Sequence, residues 1–247
     1  MREWFEDEAF WRELYPYMFD ERRFVQADEQ VRRIMKLTGI RRGAVLDLCC
    51  GPARHAVALA RRGFQVTAVD RTRFLLNKAR RRAQSARVQI EFVRVDMRDF
   101  VRPGTYRLAL NLWTSFGYFD NKDDDLRALG NIFKSLKPGG VCVLDVFGKE
   151  RLAKIMNPGT VTRHDDGSLL VQLHEIFDDW TRIRNEWILI KGNRARRFPF
   201  HHTLYSGQEL IDRLRQTGFA SVKLYGDFDG QPYGPDAPRL VAVARKQ

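Results

Sequence analysis

Three aspartates define the chemistry this chain could perform. Asp47 closes the apolar run V-L-D just before L-C-C-G-P-A-R-H, Asp70 closes V-T-A-V-D nineteen residues beyond Gly51, and Asp96 follows the run F-V-R-V. A carboxylate at a strand end, one strand-turn-helix unit beyond a glycine turn, can accept both hydroxyl hydrogens of a ribose. The turn through Gly51 into a helix opening near Arg54 gathers backbone N–H groups and the positive end of a helix dipole at the same place. A single glycine turn is weak evidence, and an aspartate at a strand end is commonly a turn former or cap. Three successive strands ending in Asp around one such turn form a far more selective pattern. The G-x-G-x-x-G pattern of dinucleotide oxidoreductases is absent, which sets hydride chemistry aside.

Bringing these residues to one edge requires a parallel sheet, and the pattern from residue 44 supplies it. Strand-like runs at 44–48, 64–69, 88–95, 107–112 and 141–147 alternate with helical stretches at about 54–62, 72–84 and 122–137. Thr72 is placed to cap the second of these helices, Asp123 to Asp125 suit the dipole of the third, and Pro138-Gly139-Gly140 ends it. Residues 3–14 and 27–38 read as two helices, the second stopped by Gly39. The expected organisation is an N-terminal helical cap over 1–40, a core over 41–150 and 205–247, and an insertion over 151–204. In the insertion L-L-V-Q-L-H-E-I-F, R-I-R-N-E-W-I-L-I and R-F-P-F-H-H-T-L-Y follow one another as strands with no helix between them. A helix with the capping-box spacing S-G-Q-E resumes at Ser206, and S-V-K-L-Y-G-D-F and R-L-V-A-V-A-R-K are the last two strands.

In this order L-D-L-C-C-G-P-A-R-H, A-V-D-R, V-D-M-R, N-L-W-T-S-F-G-Y and L-K-P-G-G-V-C-V-L-D resemble the five motifs of the class I S-adenosylmethionine-dependent methyltransferases. The likeness covers residues 40–150 and 205–245 and is nearest in character to small-molecule and sugar-amine N-methyltransferases. It implies an α/β, Rossmann-like sheet of seven mostly parallel strands with helices on both faces and an antiparallel last strand. It implies S-adenosylmethionine as cofactor and S-adenosylhomocysteine as product. The cofactor's methionine would lie near Asp47, Cys49, Cys50, Gly51 and Pro52, its ribose at Asp70, and its adenine near Asp96 and Met97. Arg54, His55, Arg71 and Arg98 are further cofactor-side residues. Asn111, Leu112 and Trp113 would line the floor between cofactor and acceptor, and Arg22 or Arg23 would meet the cofactor carboxylate through a bidentate fork. The family usually carries glycine where this chain has Cys49 and Ala53.

Methyl transfer from a sulfonium is an in-line displacement, for which positioning is the main requirement. A neutral amine needs little else, whereas a hydroxyl needs a base. Tyr17, Tyr118, His201 and His202 are the candidate catalytic residues, with His174 and Tyr15 behind them; each is also an ordinary packing residue with a polar tip. A D/N-P-P-Y/F motif for a flipped base is missing at Asn111, and no cysteine nucleophile lies in 111–118. The expected acceptor is therefore a small molecule, methylated at N or O; the alternatives are an RNA or other nucleic-acid methyltransferase and a non-catalytic S-adenosylmethionine-binding protein.

The net charge of +12 invites a nucleic-acid reading. Its basic bursts, at 41–42, 61–62, 80–82 and 194–197, are spread over the chain and read as solvated faces. Cys49, Cys50 and Cys142 form neither a disulfide framework nor a zinc spacing, so no metal is expected. The acid-rich start lacks the apolar core of a secretory signal, and no run is long enough to span a membrane, so the expected location is cytoplasmic. The insertion is expected to cover the substrate or to form a homodimer interface.

Overall fold

The computed structural model describes residues 3–247. A single 3-10 turn (Trp4–Glu6) leads into α1 (Glu8–Met18) and α2 (Glu21–Thr38). Asp7 and Asp20 cap the two helices by accepting from Ala9 and Arg23, and Gly39 ends α2 at φ 77°. The core then runs β1 (Ala44–Leu48), α3 (Arg54–Arg61), β2 (Gln65–Asp70), α4 (Arg73–Ser85), β3 (Glu91–Arg94), β4 (Tyr106–Asn111), α5 (Lys122–Ser135) and β5 (Leu136–Val146). A short α6 (Lys149–Ile155) precedes β6 (Gly159–Arg163), β7 (Leu169–Phe177), β8 (Arg182–Lys191) and β9 (Arg194–Thr203); α7 (Gly207–Gln216), β10 (Ser221–Tyr225) and β11 (Leu240–Arg245) close the chain.

Seven strands form one sheet in the order β10-β11-β5-β4-β1-β2-β3, with β11 antiparallel to both neighbours. Successive side chains point to opposite faces, and both faces are covered. Val45, Leu108, Val143 and Val243 pack with Val31 and Ile34 of α2 and Leu59 of α3. Leu46, Ala109, Leu144 and Ala242 pack with Leu129 of α5 and Leu210 of α7. Such two-sided burial explains why these strands read as continuous apolar runs. The strand order reverses direction at β1, between β2 and β4, which puts a ligand crevice at the carboxyl ends of these strands.

The insertion is a separate four-stranded antiparallel sheet, β6-β7-β8-β9. Its first strand and α6 have no counterpart in the sequence reading, because Gly159–Arg163 is mostly exposed and carries no apolar alternation. The expected run 88–95 contracts to β3, a half-exposed edge strand. Thr72 stands at the cap position of α4 without a side-chain cap bond; Asp70 Oδ1 accepts from the Thr72 N–H instead. α5 stops at Ser135, and Lys137 to Gly140 enter β5. The expected capping box is present: Ser206 accepts from the Glu209 N–H, and the Glu209 carboxylate accepts from the Ser206 N–H.

Candidate active site

The carboxyl ends of β1, β2, β3 and β4 open into a cleft enclosing about 910 Å³ of empty space including its mouth. Among the expected residues, Asp47, Cys49, Cys50, Gly51, Arg54, His55, Asp70, Arg71, Asp96, Met97, Leu112, Trp113 and Tyr118 line it. The turn after β1 makes this geometry at a cost: Cys49 and Ala53, the two positions where glycine is usual, stand at φ 61° and 62° beside Gly51 at φ 54°. Left-handed backbone costs a side-chain-bearing residue about 1–2 kcal/mol.

Each aspartate has its own environment. Asp70 is buried and receives two backbone donors, Gly51 N–H on Oδ2 (2.9 Å) and Thr72 N–H on Oδ1 (2.8 Å). Both oxygens keep a second lone pair for further donors. Burial raises its pKa above the ordinary value despite those bonds. Asp47 is also buried, and its Oδ2 has no hydrogen-bond partner; burial pushes its carboxyl up to about 7. For Asp96, burial is outweighed by Arg98, which donates from its backbone N–H and both Nε and Nη2, so the carboxyl falls below its ordinary range. Arg98 is thereby tied down, with Glu3 and Asp124 as further partners and its guanidinium over Phe119. It does not line the cleft.

Cations gather around Trp113. The guanidinium of Arg23 stands 4.1 Å and that of Arg54 4.0 Å from its ring centroid. Arg54 is only 6% exposed, its Nη1 has no partner, and burial, then Arg23, lowers its pKa to about 10. Trp113 and Thr114 are both left-handed, at φ 65° and 58°. A clamp holds this strained pair: Asp145 accepts from the Trp113 N–H at Oδ2 and from the Thr114 N–H at its carbonyl, while Arg239 donates to Asp145 Oδ1 (2.5 Å) and Thr114 Oγ1 (2.9 Å). The sequence reading missed Asp145 and Arg239. Asp145 was findable, as a fourth aspartate near the end of an apolar strand in V-C-V-L-D; Arg239 carries no such signal.

The remaining expected residues lie elsewhere. Arg22 is exposed on α2, Pro52 is buried in the turn without lining the cleft, and Asn111 sits behind it, donating to the Leu48 carbonyl. Tyr17 points away, donating to Asp166 and accepting from Ser168 at the base of β7. His201 Nε2 is 2.5 Å from Asp120 Oδ1. His202 shares a face of the small sheet with Phe198 and Phe200, where burial and the neighbouring His201 and His174 lower its pKa to about 4. Tyr118 alone of the four candidate catalytic residues reaches the cleft, with its hydroxyl pushed well above the ordinary range by burial.

No residue of β6 to β9 lines the cleft; Phe5, Trp11, Met18 and Phe19, from the 3-10 turn and around α1, form its outer wall. The small sheet backs that wall. Phe10 packs against Phe198 and Phe200, Trp4 stacks between Tyr118 (4.7 Å) and Phe200 (5.1 Å), and Arg196 pairs with Glu13. A close approach joins sheet and core: the Thr203 N–H donates to the Gly117 carbonyl, and a Cβ at Gly117 would fall 2.6 Å from the Thr203 carbonyl. Burial holds the Cys49 and Cys50 thiols well above their usual range. Among the described residues no three His, Cys, Asp or Glu side chains are grouped to hold a metal, and no helix is long and apolar enough to cross a membrane.

Residues 45–140 match the family described as "Methyltransferase domain". The chain is 32% identical over 205 residues to the cypemycin N-terminal methyltransferase of a Streptomyces species, covering 82% of this chain and 83% of that one. It is 26% identical over 216 residues to the glycine/sarcosine N-methyltransferase of Halorhodospira halochloris, covering 84% and 77%. Its fold is that of the CcbJ methyltransferase of Streptomyces caelestis, at a TM-score of 0.77 and 18% identity over 90% of this chain and 95% of that one. With a strand order that reverses at the carboxyl end of β1, an antiparallel last strand and identity sustained over most of its length, this chain belongs to the class I S-adenosylmethionine-dependent methyltransferases.

Proposed function

We propose that this enzyme methylates the nitrogen of a small-molecule amine, with S-adenosylmethionine in the cleft between Asp47, Asp70 and Trp113. The cofactor fits the groups that the fold leaves unpaired. Its amino-acid end needs an acceptor for an ammonium and a donor for a carboxylate; of the orphaned buried atoms on the cleft-lining residues, Asp47 Oδ2, Arg54 Nη1 and Arg71 Nη1, the first two match these needs. Arg23, across Trp113 from Arg54, is a second donor for the carboxylate, in preference to the exposed Arg22. Asp70 would take the ribose hydroxyls on its spare lone pairs. Val69, Leu75, Val95 and Met97 supply an apolar slot for adenine beside Asp96.

When bound, the cofactor supplies an electrophilic methyl group on a sulfonium. The chain's own task is to exclude water and aim the acceptor. The aromatic wall of Phe5, Trp11 and Tyr118 closes the outside of the cleft, and the Asp145–Arg239 clamp fixes Trp113 on its inner side. Holding reactants in line is worth roughly 7–11 kcal/mol when geometry is ideal.

The observation that favours nitrogen is the lack of a free base among the described residues of the cleft. Asp70 and Asp96 are engaged as above, Asp47 faces the ammonium position, burial keeps the Tyr118 hydroxyl protonated well above the ordinary range, and His55 shares its Nε2 with Gln30 while burial holds its pKa well below the ordinary value. A neutral amine brings its own lone pair and needs none of them. The relative named glycine/sarcosine N-methyltransferase agrees with this reading. The test is incubation with isotope-labelled S-adenosylmethionine and matched panels of amines and alcohols, with products located by mass spectrometry. Label at amine nitrogen supports the proposal; label confined to hydroxyl oxygen overturns it, and no turnover with any acceptor leaves a binding protein.

The small sheet we assign to bracing the α1 wall, in place of covering the substrate directly. Besides Gly117 and Asp120 of the core, it contacts Trp4, Phe10, Glu13 and Tyr17 of the N-terminal segment.

A further inference from the structure

Two of the basic bursts that read as separate solvated faces converge in space. α2, α3 and α4 enclose a second cleft, with about 1170 Å³ of empty space including its mouth, of which about 540 Å³ has room for water, on the outside of the helix layer. On α3, Arg54 and Arg61 are seven residues apart and share a face. On α4, Lys78, Arg81 and Arg82 face them at i, i+3 and i+4, and Glu21, Phe24 and Asp28 of α2 form the third wall at i, i+3 and i+7.

The charge in this cleft is unbalanced. Its two carboxylates are already engaged, Glu21 by Arg82 at 2.8 Å and Asp28 by Arg62 at 2.7 Å. Arg61 attracts Asp28 only at longer range, and neither Arg61 nor Arg81 has a hydrogen bond or ion pair to a carboxylate among the described residues. Arg54 turns its guanidinium toward Trp113 in the cofactor cleft, so the other four cations against two acids leave an excess of two positive charges on the walls. The aromatic faces are occupied as well: the Arg82 guanidinium lies 3.1 Å from the Phe24 ring centroid and the Lys78 ammonium 5.0 Å from that of Tyr15. A single strand of nucleic acid would need open faces on which to stack its bases, and a groove longer than this one. The volume instead lies in the range of small-molecule sites. Guanidinium groups on facing helices suit phosphate oxygens, which they bind through charge-assisted forks.

We propose that the cleft between α2, α3 and α4 binds a small ligand carrying a diphosphate or triphosphate group, at a site separate from the cofactor cleft. Arg54 borders both clefts, so the cofactor cleft must be filled during the test. Inorganic pyrophosphate is titrated by calorimetry into the full chain saturated with S-adenosylhomocysteine. The expected result is one saturable site with a Kd below about 1 mM, weakening as salt is raised. The double variant Arg61→Gln/Arg81→Gln should weaken it at least ten-fold. Its melting temperature and S-adenosylhomocysteine affinity, which do not depend on these exposed side chains, should be unchanged and so show that the variant is folded. No saturable binding to the parent protein, or equal binding to the variant, overturns the proposal. So does a short single-stranded RNA that binds ten-fold more tightly than tripolyphosphate and loses that binding in the variant, which would make the cleft a nucleic-acid site.

Discussion

The carboxyl edge of the seven-stranded sheet and the four-stranded sheet carry their polar residues in opposite ways. At the edge, Asp47, Asp70 and Asp145 are buried, each at 8% exposure or less, and sit at or near the ends of strands covered on both faces. In the small sheet, polar and apolar residues alternate, and one face leans on the N-terminal segment while Val161 and Leu173 stay exposed on the other. At the edge, Asp47 Oδ2 and Arg54 Nη1 are left unpaired beside the cleft, where a ligand can satisfy them, whereas the orphaned Asn185 Nδ2, Trp187 Nε1 and Thr203 Oγ1 of the small sheet lie away from it and that sheet positions a neighbouring wall. Variants at the edge should change cofactor affinity directly. Variants in the small sheet should act on turnover through α1.

The largest effect tests that division. Replacing residues 159–203 with a short Gly/Ser linker should leave the seven-stranded sheet folded, since loop entropy grows slowly with length. Methyl transfer should fall about 100-fold or more, because a misplacement near 1 Å can cost that much. Cofactor affinity, read by calorimetry, should fall less than transfer does. Full-rate turnover by the shortened protein would show that the sheet does not support the site. If it also changes from dimer to monomer with activity retained, the sheet is an interface instead.

At the edge, Asp70→Ala should weaken S-adenosylmethionine binding ten-fold or more, roughly 1.5–3 kcal/mol for hydrogen bonds to a charged acceptor. Unchanged affinity in a folded variant would remove the ribose assignment. Asp47 predicts a pH signature. Its folded-state pKa of about 7 lies above its ordinary 3.8, so the free folded protein holds this proton where the unfolded chain has lost it. Its contribution thus lowers stability as pH rises from about 3.8 to about 7. The cofactor ammonium wants the ionised form, so affinity should move the other way, falling as pH drops below about 7. Asp47→Asn should bind more weakly and lose that pH dependence. A parent protein with flat affinity between about pH 6 and 7.5, roughly the window below α-amino titration, would place the ammonium elsewhere.

The edge was largely legible in the sequence because burial on two faces writes itself as apolar runs, and because an aspartate interrupting or closing such a run stands out. β1 and β7 coincide with the expected runs at both ends. The wall of the cleft was not legible. Phe5 and Trp11 fall within the expected helix 3–14, where an apolar face does not say whether it meets a core or a ligand, and Met18 and Phe19 lie beyond that expected helix. Tyr17 shows the same limit: it stands among the candidate catalytic residues in the sequence, but its hydroxyl is spent on Asp166 and Ser168. Tyr17→Phe should accordingly leave cofactor affinity within two-fold or so and cost well under about 1 kcal/mol of stability, since the lost bonds are partly exposed. A ten-fold loss of cofactor affinity would return Tyr17 to the site.

The smallest expected effect concerns the turn after β1, where this chain does without two glycines. Ala53 is fully buried at φ 62°, so Ala53→Gly would release a left-handed strain of about 1–2 kcal/mol. It would also remove a buried methyl worth about 0.8 kcal/mol. Glycine then adds about 0.5–1 kcal/mol of unfolded-state freedom that folding must overcome. These terms oppose one another, and the net change should lie within about 0.8 kcal/mol of zero. That near-cancellation accounts for a nucleotide-type turn built on Gly51 with alanine beside the helix start. Chemical denaturation of the variant measures it, with cofactor affinity expected to stay level because the backbone path is unchanged. A destabilisation beyond about 1.5 kcal/mol would mean that packing of the Ala53 methyl against its neighbours, and not tolerance of strain, decides which residue this turn carries.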